Sequence, residues 1–196
     1  AVGSPLGLGG GPSVTVGVVS AFGRQVTVAA ETTLFGMLQT DAPITEGSSG
    51  GALVDTAGRL IGITTAVGVS TVGVEGIGFA TPVELMSRVV DELVADGAVD
   101  HAFLGIRGAT TFDVAPDGAR VAAGVQIESV EPGTPADEAG LARGDIIISV
   151  DGEPIETMGE LVIVLRYRGA GDSLTFTVAP AIGESARSVD VVLGAL

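Results

Sequence analysis

The 196-residue sequence has no cysteine, no tryptophan, no lysine and a single histidine, His101. Without thiols the chain forms no disulfide and offers no thiolate to a metal, although this leaves the compartment open. The lack of lysine sets nine arginines against 24 acidic residues, a formal charge of −15. That balance opposes binding to phosphate backbones or anionic lipid surfaces, so no nucleic-acid partner is expected. Aromatic residues make up only 4%, and no run approaches the roughly 18 uninterrupted apolar residues of a membrane-spanning helix. No His, Cys, Asp or Glu grouping has metal-ligand spacing, so no metal and no other cofactor is expected.

Glycine is plentiful instead, with 31 residues, which points to tight turns between short strands. Six short β runs cover Val14–Val19, Gln25–Val28, Met37–Thr40, Gly51–Val54, Leu60–Thr64 and Gly76–Ala80. Their spacing predicts a barrel or sandwich, with a hairpin turn at Asp55-Thr56-Ala57-Gly58. Thr81-Pro82 is expected to open a helix that carries apolar residues at helical spacing and stops at Gly97. From Phe103 onward strands mix with two helices, expected over Pro135–Leu141 and Met158–Arg168. The expected domains are therefore residues 1–97 and 103–196, joined by a linker over 98–102. The chain also starts without Met, which reads as a fragment or a trimmed product.

The run Gly7-Leu8-Gly9-Gly10-Gly11 reads as a flexible loop and not as a phosphate cradle, because no Gly-Lys-Ser/Thr follows and Pro12 replaces the third fingerprint glycine. His101, beside Asp100, reads as a solvated linker residue, and Asp41 as a structural acid bonded to loop amides.

The most specific stretch is Gly47-Ser48-Ser49-Gly50-Gly51. It resembles the nucleophile loop of chymotrypsin-like serine proteases, with Ser49 as nucleophile. Its glycines let the backbone fold tightly, so that the amides of Gly47 and Ser49 face a developing oxyanion. Together with Gly3-Ser4-Pro5-Leu6-Gly7-Leu8, Gln39-Thr40-Asp41-Ala42-Pro43-Ile44 and Gly76-Ile77-Gly78-Phe79-Ala80-Thr81-Pro82, it resembles the second barrel of HtrA-family (DegP-like) proteases. Ser48 stands where that family usually has Asn. Phe103-Leu104-Gly105-Ile106, Glu131-Pro132-Gly133-Thr134-Pro135 and Gly144-Asp145-Ile146-Ile147 resemble the PDZ domain that follows the protease in that family.

The resemblance implies a mainly β fold, the second six-stranded barrel of a chymotrypsin-like double barrel followed by an α+β PDZ domain. It implies a serine endopeptidase whose triad His and Asp come from a first barrel that these residues do not contain. Loss of such a base costs on the order of 10⁶ in turnover, so the chain alone is expected to be nearly inert, or to work as a PDZ binding module. Pro43, six residues before Ser49, argues against a basic primary-site preference, and Ile44 with Ile77 or Phe79 is expected to line a small apolar pocket. Leu104, Gly105 and Ile106 are expected to bind the C-terminal carboxylate of a peptide, facing Leu161, Val162 and Leu165 of the following helix. Expected partners are exposed or unfolded polypeptides and peptide C-termini, in a homotrimer at the bacterial cell envelope.

Overall fold

The computed structural model describes residues 1–4, 11–29, 32–45, 47–67, 76–180 and 185–196. Most of the glycine run, Gly7 to Gly10, lies outside the described residues, as do Pro5, Leu6 and Glu46. The chain divides into two compact units, Ala1–Ala98 and Val99–Leu196.

The first unit carries β1 (Val2–Gly3), β2 (Ser13–Val14), β3 (Val19–Ala29), β4 (Thr32–Thr40), β5 (Ala52–Val54), β6 (Leu60–Val67), β7 (Gly78–Pro82) and α1 (Val83–Asp96). The strands form one antiparallel sheet in the order β2-β1-β5-β6-β7-β4-β3. Leu38, Leu53 and Ala80, from β4, β5 and β7, form a small buried cluster that Ala1 and Ile61 flank.

Several strands run longer or start elsewhere than expected, and two of the differences have a visible cause. The run Val14–Val19 does not continue as one strand, because its backbone is tied elsewhere: the Thr15 amide bonds the Ala1 carbonyl at 2.9 Å, and the Val18 amide bonds Asp41 Oδ1 at 2.7 Å. Thr81 lies inside β7 and does not cap α1; Pro82 takes the cap position and no side chain bonds there. Thr81 spends its hydroxyl on that of Thr65, 2.8 Å away. The other end follows the reading, with Gly97 left-handed at φ +74° and its amide bonded to the Leu93 carbonyl.

The turn between β5 and β6 is built around Asp55. Its carboxylate accepts the Ala57 and Arg59 amides at 2.8 and 3.0 Å and the Arg59 Nε at 2.7 Å. Gly58 closes the turn at φ +77°. These bonds, led by the Arg59 amide, hold the Asp55 carboxyl below its usual range.

The second unit carries β8 (Ala102–Phe103), β9 (Ile106–Val114), β10 (Arg120–Val130), α2 (Pro135–Glu138), β11 (Ile146–Val150), β12 (Glu153–Pro154), α3 (Met158–Arg166), β13 (Ser173–Ala179), β14 (Arg187–Val192) and β15 (Gly194–Ala195). Its main sheet runs β14-β13-β11-β10-β9, with β12 on β11, while β15 pairs β8 separately. β13 alternates strictly, burying Leu174, Phe176 and Val178, and each such side chain contributes roughly 1.5–3 kcal/mol of burial. Leu161, Val125 and Ile147 belong to the same core.

α2 is shorter than expected, ending at Glu138 before Gly140 turns the chain at φ +75°. α3 begins with a capping box: Thr157 Oγ1 accepts the Glu160 amide, and the Glu160 carboxylate reaches back to the Thr157 amide. β9 and β10 form a long hairpin, where Arg120 sits 4.4 Å over the Phe112 ring.

Candidate functional site

The loop 47–51 joins the segment after β4 to β5. Two glycines take left-handed backbone conformations, Gly47 and Gly50, both at φ +85°. The amides of Ser48, Gly50 and Gly51 are engaged, on Thr45, Thr64 and Ser48 carbonyls at 3.0, 2.8 and 3.0 Å. Among the described residues, the amides of Gly47 and Ser49 carry no hydrogen bond. Ser49 is exposed, and its Oγ donates to the Thr65 carbonyl at 3.2 Å. An alcohol in that position attacks a carbonyl only when a base removes its proton.

Gly51 satisfies a different need. A carbon at its Cβ position would lie 2.4 Å from the Val2 carbonyl oxygen and 2.9 Å from that of Ser48. The second glycine after Ser49 is there because backbone passes too close for any side chain.

The three pocket candidates lie on the approach to the loop and on or beside β7. Ile44 is buried, and its side chain packs on β7 at Gly78, where a Cβ would lie 2.6 Å from Ile44 Cδ1. Neighbouring strand residues point to opposite faces, so Phe79 turns away from the face on which Ile44 packs. Ile77 precedes β7 and is half-buried. Within the expected strand Gly76–Ala80, Gly78 is the residue against Ile44. A cavity of about 210 Å³ lies beneath the loop, lined in part by Ile44, Ser48 and Thr64.

Asp41 accepts the Val18 amide, as a structural acid would. His101 belongs to the second unit, is exposed, and offers its carbonyl to the Leu196 amide at 3.0 Å. Among the described residues no group of three His, Cys, Asp or Glu is placed to hold a metal.

In the second unit, Leu104-Gly105 forms a loop between β8 and β9. The Leu104 carbonyl accepts from Ala136 and the Gly105 carbonyl from Glu131, both at 2.9 Å. With the carbonyls turned inward and Gly105 at φ +88°, the Leu104 and Gly105 amides carry no bond among the described residues. Thr134 packs so tightly here that a Cβ on Gly105 would lie 2.2 Å from its side chain. β9, starting at Ile106, is the last strand of its sheet and leaves one edge open for pairing. The N-terminus of α3 is tied to that strand through Thr110 Oγ1, which accepts the Met158 amide at 3.0 Å.

The groove wall needs one correction. Leu161 is 0% exposed and belongs to the core, so it backs the wall and presents no surface. Leu165 and Val162 are half-buried, Leu165 packing against that core.

Known proteins sort these two units. The trypsin-like peptidase domain family matches residues 1–63, and the PDZ domain family matches residues 126–180. Serine protease PepD of Mycobacterium tuberculosis is 36% identical over 99% of this chain and 42% of its own length. The chain belongs to the HtrA (DegP-like) family of trypsin-like serine proteases, as the C-terminal half of the protease domain plus a PDZ domain. A probable periplasmic serine protease of Haemophilus influenzae, do/HhoA-like, is 38% identical over 90% of the chain and 38% of its own length. The chain thus spans about two fifths of these curated HtrA relatives. Among solved structures, the HtrA-type protease AlgW with a bound tripeptide superposes with a TM-score of 0.73 at 31% identity, covering 100% of this chain and 64% of AlgW. The fold is accordingly mainly β, with trypsin-like and PDZ parts.

Proposed function

We propose that this chain supplies the nucleophile, the oxyanion-binding amides and a peptide-docking module of an HtrA-type serine endopeptidase acting on exposed or unfolded polypeptides. The observation that carries the reading is the pair of unengaged amides, Gly47 and Ser49, on a loop whose other described amides are bonded, beside an exposed Ser49 hydroxyl. A histidine base, oriented by an aspartate and contributed by sequence outside these 196 residues, takes the Ser49 proton as Oγ attacks the scissile carbonyl. The two amides hold the resulting oxyanion, the amine leaves with that proton, and water then releases the acyl group from Ser49. Ile44 closing on Gly78 favours small aliphatic residues at the primary site.

In the domain assignment that goes with this reading, residues 1–97 are the second barrel with its closing helix, 98–102 a linker and 103–196 the PDZ domain. The open β9 edge beside the Leu104-Gly105 amides favours capture of peptide C-termini by strand addition, and this is the activity left to the chain in the absence of a base. The periplasmic name of the Haemophilus relative supports the cell envelope as location; no helix of the described residues is long and apolar enough to cross a membrane.

The test is cleavage of an unfolded polypeptide by the longest natural form of the protein. Ser49→Ala is expected to lower turnover by on the order of 10⁶. Equal cleavage by the variant would sink the assignment of Ser49.

A further inference from the structure

We propose that Thr64 is the positioning residue that aims the Ser49 amide into the oxyanion site. This rests on the function proposed above, and it concerns a residue on β6 that the sequence presents only as one of two strand threonines. Thr64 is 1% exposed and lies under the nucleophile loop. Its hydroxyl donates to the Ser48 carbonyl, and that oxygen accepts the Gly51 amide at 3.0 Å as well. Both acceptor directions of the carbonyl are thereby taken.

The consequence follows from the peptide unit. Its planar trans geometry sets N–H antiparallel to C=O, so a Ser48 carbonyl drawn inward to Thr64 turns the Ser49 N–H outward. The backbone of Thr64 grips the same loop from both sides: its carbonyl accepts the Gly50 amide at 2.8 Å and its amide bonds the Gly51 carbonyl at 2.9 Å. Neighbouring Thr65 has another task, meeting the Thr81 hydroxyl and receiving Ser49 Oγ on its carbonyl. Among the described residues, only the Thr64 side chain bonds the 48–49 peptide.

The experiment compares Thr64→Val, which keeps the shape and removes the hydroxyl, with Thr64→Ser, which restores it, in the longest natural form of the protein. Removing one oxyanion donor costs about 10²–10³ in turnover, so its misdirection is expected to lower kcat by at least about tenfold. KM and the pH profile stay put, because valine keeps the side-chain volume beside Ile44 in the cavity under the loop and the base is not touched. Thr64→Ser is expected to keep kcat within about threefold, by the same donor argument. A Thr64→Val enzyme equal to wild type, or a loss that appears in KM or is shared by Thr64→Ser, would overturn the role. If Thr64→Val does not fold, amide and hydroxyl exchange in the unmodified chain decides: a slowly exchanging Thr64 hydroxyl with an unprotected Ser49 amide is expected, and the reverse pattern refutes it. Cleavage that does not depend on Ser49 brings down the proposed function and this role together. Ser49-dependent cleavage indifferent to Thr64→Val removes only the role of Thr64.

Discussion

Gly51→Ala tests how tightly the loop is built. A methyl at residue 51 falls 2.4 Å from the Val2 carbonyl oxygen, 2.9 Å from that of Ser48 and 3.1 Å from Thr64 Oγ1. Two of these three neighbours are backbone, so no side chain can rotate aside. Restoring an ordinary contact near 3.4 Å moves β1 and the loop apart by about 1 Å. Overpacking of this kind costs about 1–3 kcal/mol, and in a unit of roughly 100 residues each kcal/mol shifts the midpoint by about 4–8 °C. Thermal unfolding followed by circular dichroism should therefore show the first unit melting about 8–16 °C lower for a cost of about 2 kcal/mol. Because the Ser48 carbonyl is among the displaced groups, the longest natural form should also lose about a hundredfold in cleavage rate, the usual effect of a 1 Å misplacement. A midpoint within about 2 °C of wild type, with an unchanged rate, would refute the close-approach argument.

Two further outcomes follow from the same geometry. Gly105→Ala sets a methyl 2.2 Å from Thr134 at a φ of +88°, so titration with an apolar C-terminal peptide should show binding lost and the second unit destabilised by about 2–4 kcal/mol; unaltered affinity would contradict the peptide-binding loop. Asp55 is held below its usual 3.8 chiefly by the Arg59 amide and guanidinium. A depressed carboxyl stabilises the fold above its unfolded value and loses that contribution as pH falls through the folded value. The advantage of wild type over Asp55→Asn in thermal midpoint should thus be full above 3.8 and shrink below it, and an advantage that ignores pH would contradict the ion pair with Arg59.

What the sequence made legible was local. The left-handed Gly47, Gly50, Gly58 and Gly97 and the Asp55 turn are set by residue type within a few positions, which a sequence exposes directly. The capping box at Thr157 and Glu160 is equally local, carried by its Thr-x-x-Glu spacing. Partners distant in sequence were not legible. Apolar spacing on α3 announces a buried face but not which residue lies deepest, and Leu161, expected on the groove, is core. Val14–Val19 has the composition of a strand, yet bonds to Ala1 and Asp41 decide its course. Sheet register, and not hydrophobicity, puts Gly78 against Ile44 and turns Phe79 to the other face. Thr64 was hidden for the same reason: only the pairing of β5 with β6 brings its hydroxyl under Ser48.

The central claim is that Ser49 is a nucleophile whose base comes from elsewhere in the protein. Intact mass after exposure to a fluorophosphonate, which labels only activated serines, tests it most directly. The longest natural form is expected to gain one adduct, mapped to Ser49, while the 196-residue chain alone gains none in the same time. An unlabelled natural form, an adduct on another serine, or equal labelling of the isolated chain would contradict the account.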